Sequence, residues 1–176
     1  FFRVEQMLSE IIVKIENIEI RACRSKTPEL AASEMRFSTI KELEFLVISM
    51  KTDDGLQADS FGFAASSARG AARIAADALR PFFLGKNPLY REKHWHDYRM
   101  ADRWWNHVPI YSYGPFDICC WLLAAKAANQ PLYKYLGAYR DRVPIYGSSL
   151  VLPTPEDFAK QALETKQKGW KAYKLH

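Results

Sequence analysis

The sequence predicts two consecutive parts, an α+β module over residues 1–140 and the first strand–helix–strand unit of a parallel α/β domain over residues 141–176. Three observations support this prediction. A strand, a long loop and a hairpin come first, three helical patterns follow, and the segment from residue 143 onward alternates strand, helix and strand. Two strands joined by a helix are expected to lie parallel with a right-handed crossover.

The composition indicates a folded protein with a packed core. Of the 176 residues, 48% are apolar and 14% aromatic, which is enough for a packed core. The net charge of +5 is modest and basic residues are interspersed with acidic ones, so we expect neither nucleic-acid nor membrane binding. No stretch reaches the roughly 18 apolar residues of a membrane span. Cys23, Cys119 and Cys120 fit neither a disulfide framework nor metal-ligand spacing, so we expect a cytoplasmic location.

The first part of the chain predicts a small antiparallel sheet. Apolar residues alternate from Ile11 to Cys23, which indicates a first strand. Residues 24–41 form a long polar loop, which is either a lid over a site or a surface excursion without a role. A second strand over Glu44–Lys51 and a third over Leu56–Phe63 flank a turn at Thr52–Gly55, where glycine tolerates a positive φ.

Three helices are predicted after the sheet. The first is capped by Ser66 or Ser67 and ends in the segment Pro81–Gly85. The second begins at Asn87-Pro88 and the third at Gly114-Pro115, because proline suits the first turn of a helix.

Three polar side chains in this helical region have both a structural and a functional explanation. His94 and His96 are two positions apart, so their side chains point in different directions on a helix. No third metal ligand has a suitable spacing. We therefore expect no metal site there. Asp117 lies in a helix that is apolar around most of its surface, so it is either a structural anchor or a site residue.

The last segment joins two short strands through an amphipathic helix. Thr154 can cap this helix, Pro155 suits its first position and Gly169 ends it. Because successive strand side chains point to opposite faces, Lys174 and His176 are expected on one face at the end of the second strand. This end of a parallel sheet gathers catalytic residues, although a lysine or histidine there is also commonly a solvated side chain.

Three stretches of the sequence resemble the enolase superfamily, in its mandelate racemase and muconate lactonizing branch. They are TDDGLQADSFGFA, YSYGPFDICCWLLAAKAANQPLYKYLGAYRDRVPIYGS and GWKAYKLH. The most specific matches are Asp117, Trp121, Lys126, Pro131, Leu136-Gly137 and Arg142-Val-Pro. The resemblance implies that residues 1–140 form the capping domain of this family. It also implies that residues 141–176 begin a TIM-like (β/α) barrel, which takes about 250 residues when complete, so we expect a truncated chain.

The resemblance also implies which residues carry the chemistry. The family commonly has Lys-x-Lys at the end of the second barrel strand, where the second lysine removes the proton α to a carboxylate. Lys174 matches the first lysine, and His176 stands in place of the second. An imidazole titrates near neutrality, whereas a lysine needs a pKa lowered by several units before it can accept a proton. We therefore expect His176 to be the base and Lys174 its electrostatic partner. Leu122 and Ala125 also depart from the family pattern, which is typical of a divergent member.

The resemblance implies a magnesium-dependent lyase or isomerase acting on a small carboxylate. Dehydration of a sugar acid is the leading expectation, and racemisation or epimerisation of a 2-hydroxy acid is the alternative. The magnesium ligands of the family come from later barrel strands, so we expect none within these residues and no turnover by this segment alone. The family pattern also implies that Ser60 and Phe61 and the loop over residues 24–41 close over the substrate. The aromatic content suits a homo-oligomer. In a different class of function, the segment is a non-catalytic fragment or an assembly module.

Overall fold

The structure is a computed structural model that describes residues 13–26, 42–64, 67–103, 108–149 and 151–176. The chain divides into two compact units. Among the described residues, the first unit spans 13–25 and 43–137, and the second spans 138–176 together with Lys26 and Glu42. The predicted domain boundary after residue 140 stays a prediction. Most of the predicted loop over residues 24–41 lies outside the described residues.

The first unit contains a three-stranded sheet in the order β1-β2-β3, except for the strand-end residues Lys26 and Glu42, which are grouped with the second unit. Its strands are β1 (Ile15–Lys26), β2 (Glu42–Thr52) and β3 (Gln57–Phe63), and β2 pairs antiparallel with β3 so that Ile48 lies opposite Ser60. Alternate residues of β2 are buried, as the period of two predicts. Gly55 adopts a φ of 91° in the turn of the hairpin. The predicted antiparallel sheet is thus confirmed.

The first helical run follows the sheet and ends within the segment that the sequence predicts. It consists of α1 (Ala68–Ile74), a π-helical turn (Ala75–Leu79) and α2 (Arg80–Phe83). The run ends at Phe83, inside the predicted segment Pro81–Gly85, and Gly85 has a φ of 76°. Pro81 lies in the first turn of α2, directly after the π turn. The predicted cap is different: the Ser67 side chain makes no capping hydrogen bond, and Ser66 lies outside the described residues. Instead, the carboxylate of Glu44 accepts the backbone N–H of Ala68 at 2.6 Å.

The next two helices begin at other residues than the prolines indicate. Helix α3 spans Arg91–Ala101 and α4 spans Ile110–Ala127. Asn87 accepts a hydrogen bond from the backbone N–H of Leu89 at 2.9 Å, so it organises a turn ahead of α3. Pro115 lies inside α4, which loses one backbone hydrogen bond there and continues without interruption.

The core of the first unit lies between the sheet and α4. Ring centroids of Phe83 and Phe116 are 5.3 Å apart and those of Tyr98 and Tyr113 are 4.1 Å apart, so aromatic side chains fill the space between the helices. A short helix, α5 (Leu132–Tyr135), follows α4. The buried cluster comprises Ile15, Ile18, Leu46, Ile48, Met50, Ala58, Ala75, Leu79, Phe83, Tyr98, Tyr113, Phe116, Cys119, Cys120 and Leu123.

The second unit contains a two-stranded parallel sheet and one long helix. Strands β4 (Gly147–Ser148) and β5 (Tyr173–Lys174) are joined by α6 (Pro155–Gln167). Both strands are shorter than predicted, because only two residues of each strand pair with the other. The side chains of Val143 and Ile145, which precede β4, are mostly exposed. In the described parts of the chain, every helix is too short or too polar to cross a membrane.

Candidate functional site

Helix α6 covers one face of the parallel strand pair, and this leaves the other face open for a site. The hydroxyl of Thr154 accepts the backbone N–H of Asp157 at 3.2 Å, which caps α6 as the sequence predicts. Gly169 follows the end of α6 and has a φ of 85°, the left-handed conformation that commonly terminates a helix, and the chain then leads into β5. A Cβ atom on Gly147 would lie 2.6 Å from Cγ2 of Thr165, so α6 lies directly against β4 at this glycine. Strand side chains at the next position therefore point away from α6.

Lys174, His176 and Ser148 lie on this open face. Ser148 and Lys174 are partners in the parallel register, so their side chains project to the same side of the sheet. The Nε2 atom of His176 lies 3.1 Å from Oγ of Ser148, which brings the imidazole to that side as well. Tyr173 points the opposite way, where its hydroxyl donates to Oε1 of Gln161 on α6 at 2.6 Å.

Two adjacent serines of the β4 segment hold His176 at different atoms. Ser148 contacts the ring, and the hydroxyl of Ser149 accepts the backbone N–H of His176 at 3.0 Å. Ser149 is buried, and its own N–H donates to the carbonyl of Lys174 at 2.9 Å. The sequence-based prediction included neither serine as a site residue. Two consecutive serines at the end of one strand of a predicted parallel pair could have indicated these positions.

The chemistry available at this cluster is that of a base beside a cation. An imidazole can accept a proton near neutral pH, and an ammonium group can bind a carboxylate. Both side chains are exposed, and His176 also lines a cavity of about 670 Å³ together with residues of α6. The catalytic roles of Lys174 and His176 stay predictions.

Ser60 and Phe61 lie in the first unit and point to opposite sides of β3. The hydroxyl of Ser60 donates to the backbone carbonyl of Pro115 at 2.6 Å and lies 3.3 Å from Sγ of Cys119. It therefore joins the sheet to α4. Phe61 projects outward and is 73% exposed. Their part in substrate binding stays a prediction.

Asp117 lines a cavity of about 360 Å³ between α3 and α4. Burial raises the pKa of its carboxyl group, and the nearby guanidinium of Arg91 opposes this rise. The Arg91 guanidinium lies 3.9 Å above the ring of Trp121, and this contact joins α3 to α4 beside Asp117.

The described residues offer neither a reactive thiol pair nor a metal cluster. Burial raises the pKa of Cys119 to about 11 and also raises the pKa of Cys120, so both thiols stay protonated at neutral pH. The His, Cys, Asp and Glu side chains in the described part of the chain form no group of three or more that could hold a metal ion.

Known proteins resemble this chain in both sequence and structure. Residues 17–137 match the N-terminal domain of the mandelate racemase / muconate lactonizing enzyme family. N-succinyl-L-Arg/Lys racemase of Bacillus cereus is 28% identical over 145 residues, which are 79% of this chain and 38% of that protein. Its crystal structure has a TM-score of 0.75 over 92% of this chain and 44% of its own. L-talarate/galactarate dehydratase of Salmonella typhimurium is 28% identical over 149 residues, 80% of this chain and 36% of that protein.

A further solved structure has the same fold. A racemase from Streptomyces coelicolor A3(2), solved with bound magnesium, has a TM-score of 0.77 at 22% identity, over 92% of this chain and 46% of its own. The chain thus spans less than half the length of each of these proteins. The matched domain covers most of the first unit, and its sheet and helices are those predicted for a capping domain. The chain belongs to the mandelate racemase / muconate lactonizing enzyme family of the enolase superfamily.

Proposed function

We propose that the complete protein removes the α-proton of a small carboxylate substrate, with His176 as the base and Lys174 as the cation that binds the carboxylate. The observation that carries this proposal is the 3.1 Å contact of the His176 ring with Ser148, the register partner of Lys174, at the C-terminal end of two parallel strands. This end of a parallel sheet is where (β/α) barrels collect their catalytic groups. We further propose that the protein works in the cytoplasm as a homo-oligomer.

The proposed reaction is dehydration of a sugar acid. Lys174 draws the carboxylate to the open face, and His176 takes the proton from the α-carbon. The electron pair of the broken C–H bond forms an enolate, and the bond between the β-carbon and its hydroxyl then breaks. The departing hydroxide takes the proton that His176 carries and leaves as water, which restores the neutral imidazole. The dehydratase of Salmonella typhimurium supports this choice of substrate class. Racemisation or epimerisation of a 2-hydroxy acid is the second candidate, and the relative from Bacillus cereus favours it.

The proposal includes magnesium, whose ligands it assigns to other parts of the polypeptide. The described residues contain no suitable cluster, so the steps above use only the side chains of Lys174 and His176. A bound divalent ion would supply positive charge beside the substrate carboxylate.

The experiment uses the full-length protein with magnesium and a panel of acid sugars and hydroxy acids. NMR in D₂O follows both product formation and exchange of the α-proton. The variant His176→Ala is expected to lose about 10²- to 10⁴-fold in turnover, as is typical when a general base is removed. Lys174→Ala is expected to raise KM, whereas Lys171→Ala, a nearby exposed lysine, serves as the matched control and is expected to retain activity.

Two outcomes contradict the proposal. Full turnover by His176→Ala would show that another group is the base. If no substrate in the panel exchanges its α-proton, the non-catalytic alternative, an assembly module, is favoured.

A further inference from the structure

We infer that Ser148 is a positioning residue, which accepts a hydrogen bond from Nε2–H of His176 and thereby leaves Nδ1 as the atom that takes the substrate proton. This inference rests on the proposed function of His176 as the base. It assigns a role to a side chain in the strand next to the base, and it specifies which ring nitrogen reacts.

The position of the His176 main chain is fixed before the ring is considered. Strands β4 and β5 are joined by two backbone hydrogen bonds, from Gly147 N–H to the carbonyl of Ala172 at 3.1 Å and from Ser149 N–H to the carbonyl of Lys174 at 2.9 Å. The hydroxyl of Ser149 then accepts the backbone N–H of His176 at 3.0 Å. The remaining freedom is therefore that of the imidazole about its two side-chain torsions.

Ser148 restricts this remaining freedom. Its Oγ lies 3.1 Å from Nε2 of His176, and this is a contact between residues 28 positions apart in the chain. Gly147, the preceding residue, lies against Thr165 of α6, so Ser148 projects from the opposite face of β4 and cannot turn toward the helix. The serine thus holds the ring from a strand that is itself fixed on its other face.

The direction of the hydrogen bond follows from the chemistry of the base. If the hydroxyl donates to Nε2, the ring proton is on Nδ1 and neither nitrogen has a free lone pair. If the hydroxyl accepts from Nε2–H, the lone pair of Nδ1 is free. Accepting also suits the imidazolium that forms after proton transfer, because both of its nitrogens are donors. The accepting direction therefore serves both protonation states without a rotation of the hydroxyl.

The test uses the full-length protein and three variants, Ser148→Ala, Ser148→Thr and, as a matched control, Ser67→Ala in the first unit. Ser67 lies at the start of α1 and its side chain makes no capping hydrogen bond. Long-range ¹H–¹⁵N NMR spectra of the resting protein identify the protonated ring nitrogen of His176. The expected wild-type spectrum shows Nε2 protonated and Nδ1 unprotonated.

Kinetics then separates positioning from substrate contact. Ser148→Ala is expected to lower kcat about 3- to 10-fold with little change in KM, as the loss of one hydrogen bond predicts. Ser148→Thr keeps a hydroxyl and is expected to restore most of kcat, and Ser67→Ala is expected to behave as the wild type. A wild-type spectrum with Nδ1 protonated would overturn the inference. So would a Ser148→Ala variant that changes KM alone, because that result indicates direct contact with the substrate.

The result for Ser148 is distinguishable from that for the base itself. If His176→Ala abolishes turnover while Ser148→Ala has wild-type kcat, the inference fails and the proposed function stands. If His176→Ala retains full turnover, the proposed function fails. The NMR measurement needs no substrate, so it reports the direction of the hydrogen bond in either case.

Discussion

Replacing Gly62 with alanine is expected to destabilise the first unit, because β3 lies directly against α4 at this residue. A Cβ atom on Gly62 would lie 2.5 Å from Cγ of Pro115 and 3.3 Å from the carbonyl oxygen of Tyr111. The Pro115 ring is closed onto the backbone of α4, and the Tyr111 carbonyl belongs to the same helix. Neither group can rotate away, so the strand and the helix must separate to admit the methyl group.

The size of the effect is the difference between two contributions. Overpacking in a closely packed interior costs about 1–3 kcal/mol. Replacing glycine by alanine also restricts the unfolded chain, which offsets roughly 0.5–1 kcal/mol of this cost. The middle of these two ranges gives a net loss of about 1 kcal/mol in the free energy of unfolding, and the upper end is about 2.5 kcal/mol, so the ratio of folded to unfolded molecules falls by roughly 5-fold and by at most about 60-fold.

Urea denaturation monitored by circular dichroism measures this difference, with Gly114→Ala as the matched control. Gly114 lies within α4, and a Cβ atom there would meet nothing within 4 Å. Gly114→Ala is therefore expected to stabilise the protein by about 0.5–1 kcal/mol. The two variants should change the free energy of unfolding in opposite directions. If Gly62→Ala is as stable as the wild type, or if both variants shift in the same direction, the close approach of β3 to α4 is refuted.

Two further predictions concern charged groups of the first unit. Burial lowers the pKa of His94 below its ordinary value of 6.5, so below that pH the unfolded chain binds a proton that the folded protein does not. Urea denaturation across pH should show stability falling by up to about 1.4 kcal/mol per pH unit as the pH drops below 6.5, and His94→Gln should flatten this slope. Glu44→Ala should cost about 1–3 kcal/mol, because the buried carboxylate holds Ala68 N–H and lies 2.9 Å from Nε of Arg24. Glu16→Ala, which loses only an exposed ion pair, should cost less than about 1 kcal/mol. Equal losses in these two variants would contradict the capping role of Glu44.

The strands of the first unit were predictable because their signal is local. Alternation of apolar and polar residues requires nothing but the period of a strand, and Leu46, Ile48 and Met50 are all buried on one side of β2. The first residues of the helices were less predictable, because a proline marks the start of a helix only when no tertiary contact favours another position for it. Pro115 is packed against Gly62, so a tertiary contact keeps it within α4.

In the candidate site too, the features that depend on neighbouring residues were predictable, and the contacts between residues far apart in the chain were not. The period of two in the last strand is by itself enough to predict a common face for Lys174 and His176. The contribution of Ser148 and Ser149 was not predictable, because it depends on how two strands align across a helix. Their contacts with His176 span 28 and 27 positions of the chain.

In the proposed mechanism, the exchange of a lysine for a histidine at position 176 changes what the neighbouring strand must provide. A lysine that acts as a base is a neutral amine, whose lone pair turns freely about the Cε–Nζ bond, whereas the lone pair of an imidazole points in one direction in the plane of the ring. A histidine base therefore needs a partner that fixes the plane and the protonated nitrogen, and Ser148 lies at the distance that allows both. If this coupling holds, His176→Lys in the full-length protein should make Ser148→Ala nearly neutral, although each change alone lowers turnover.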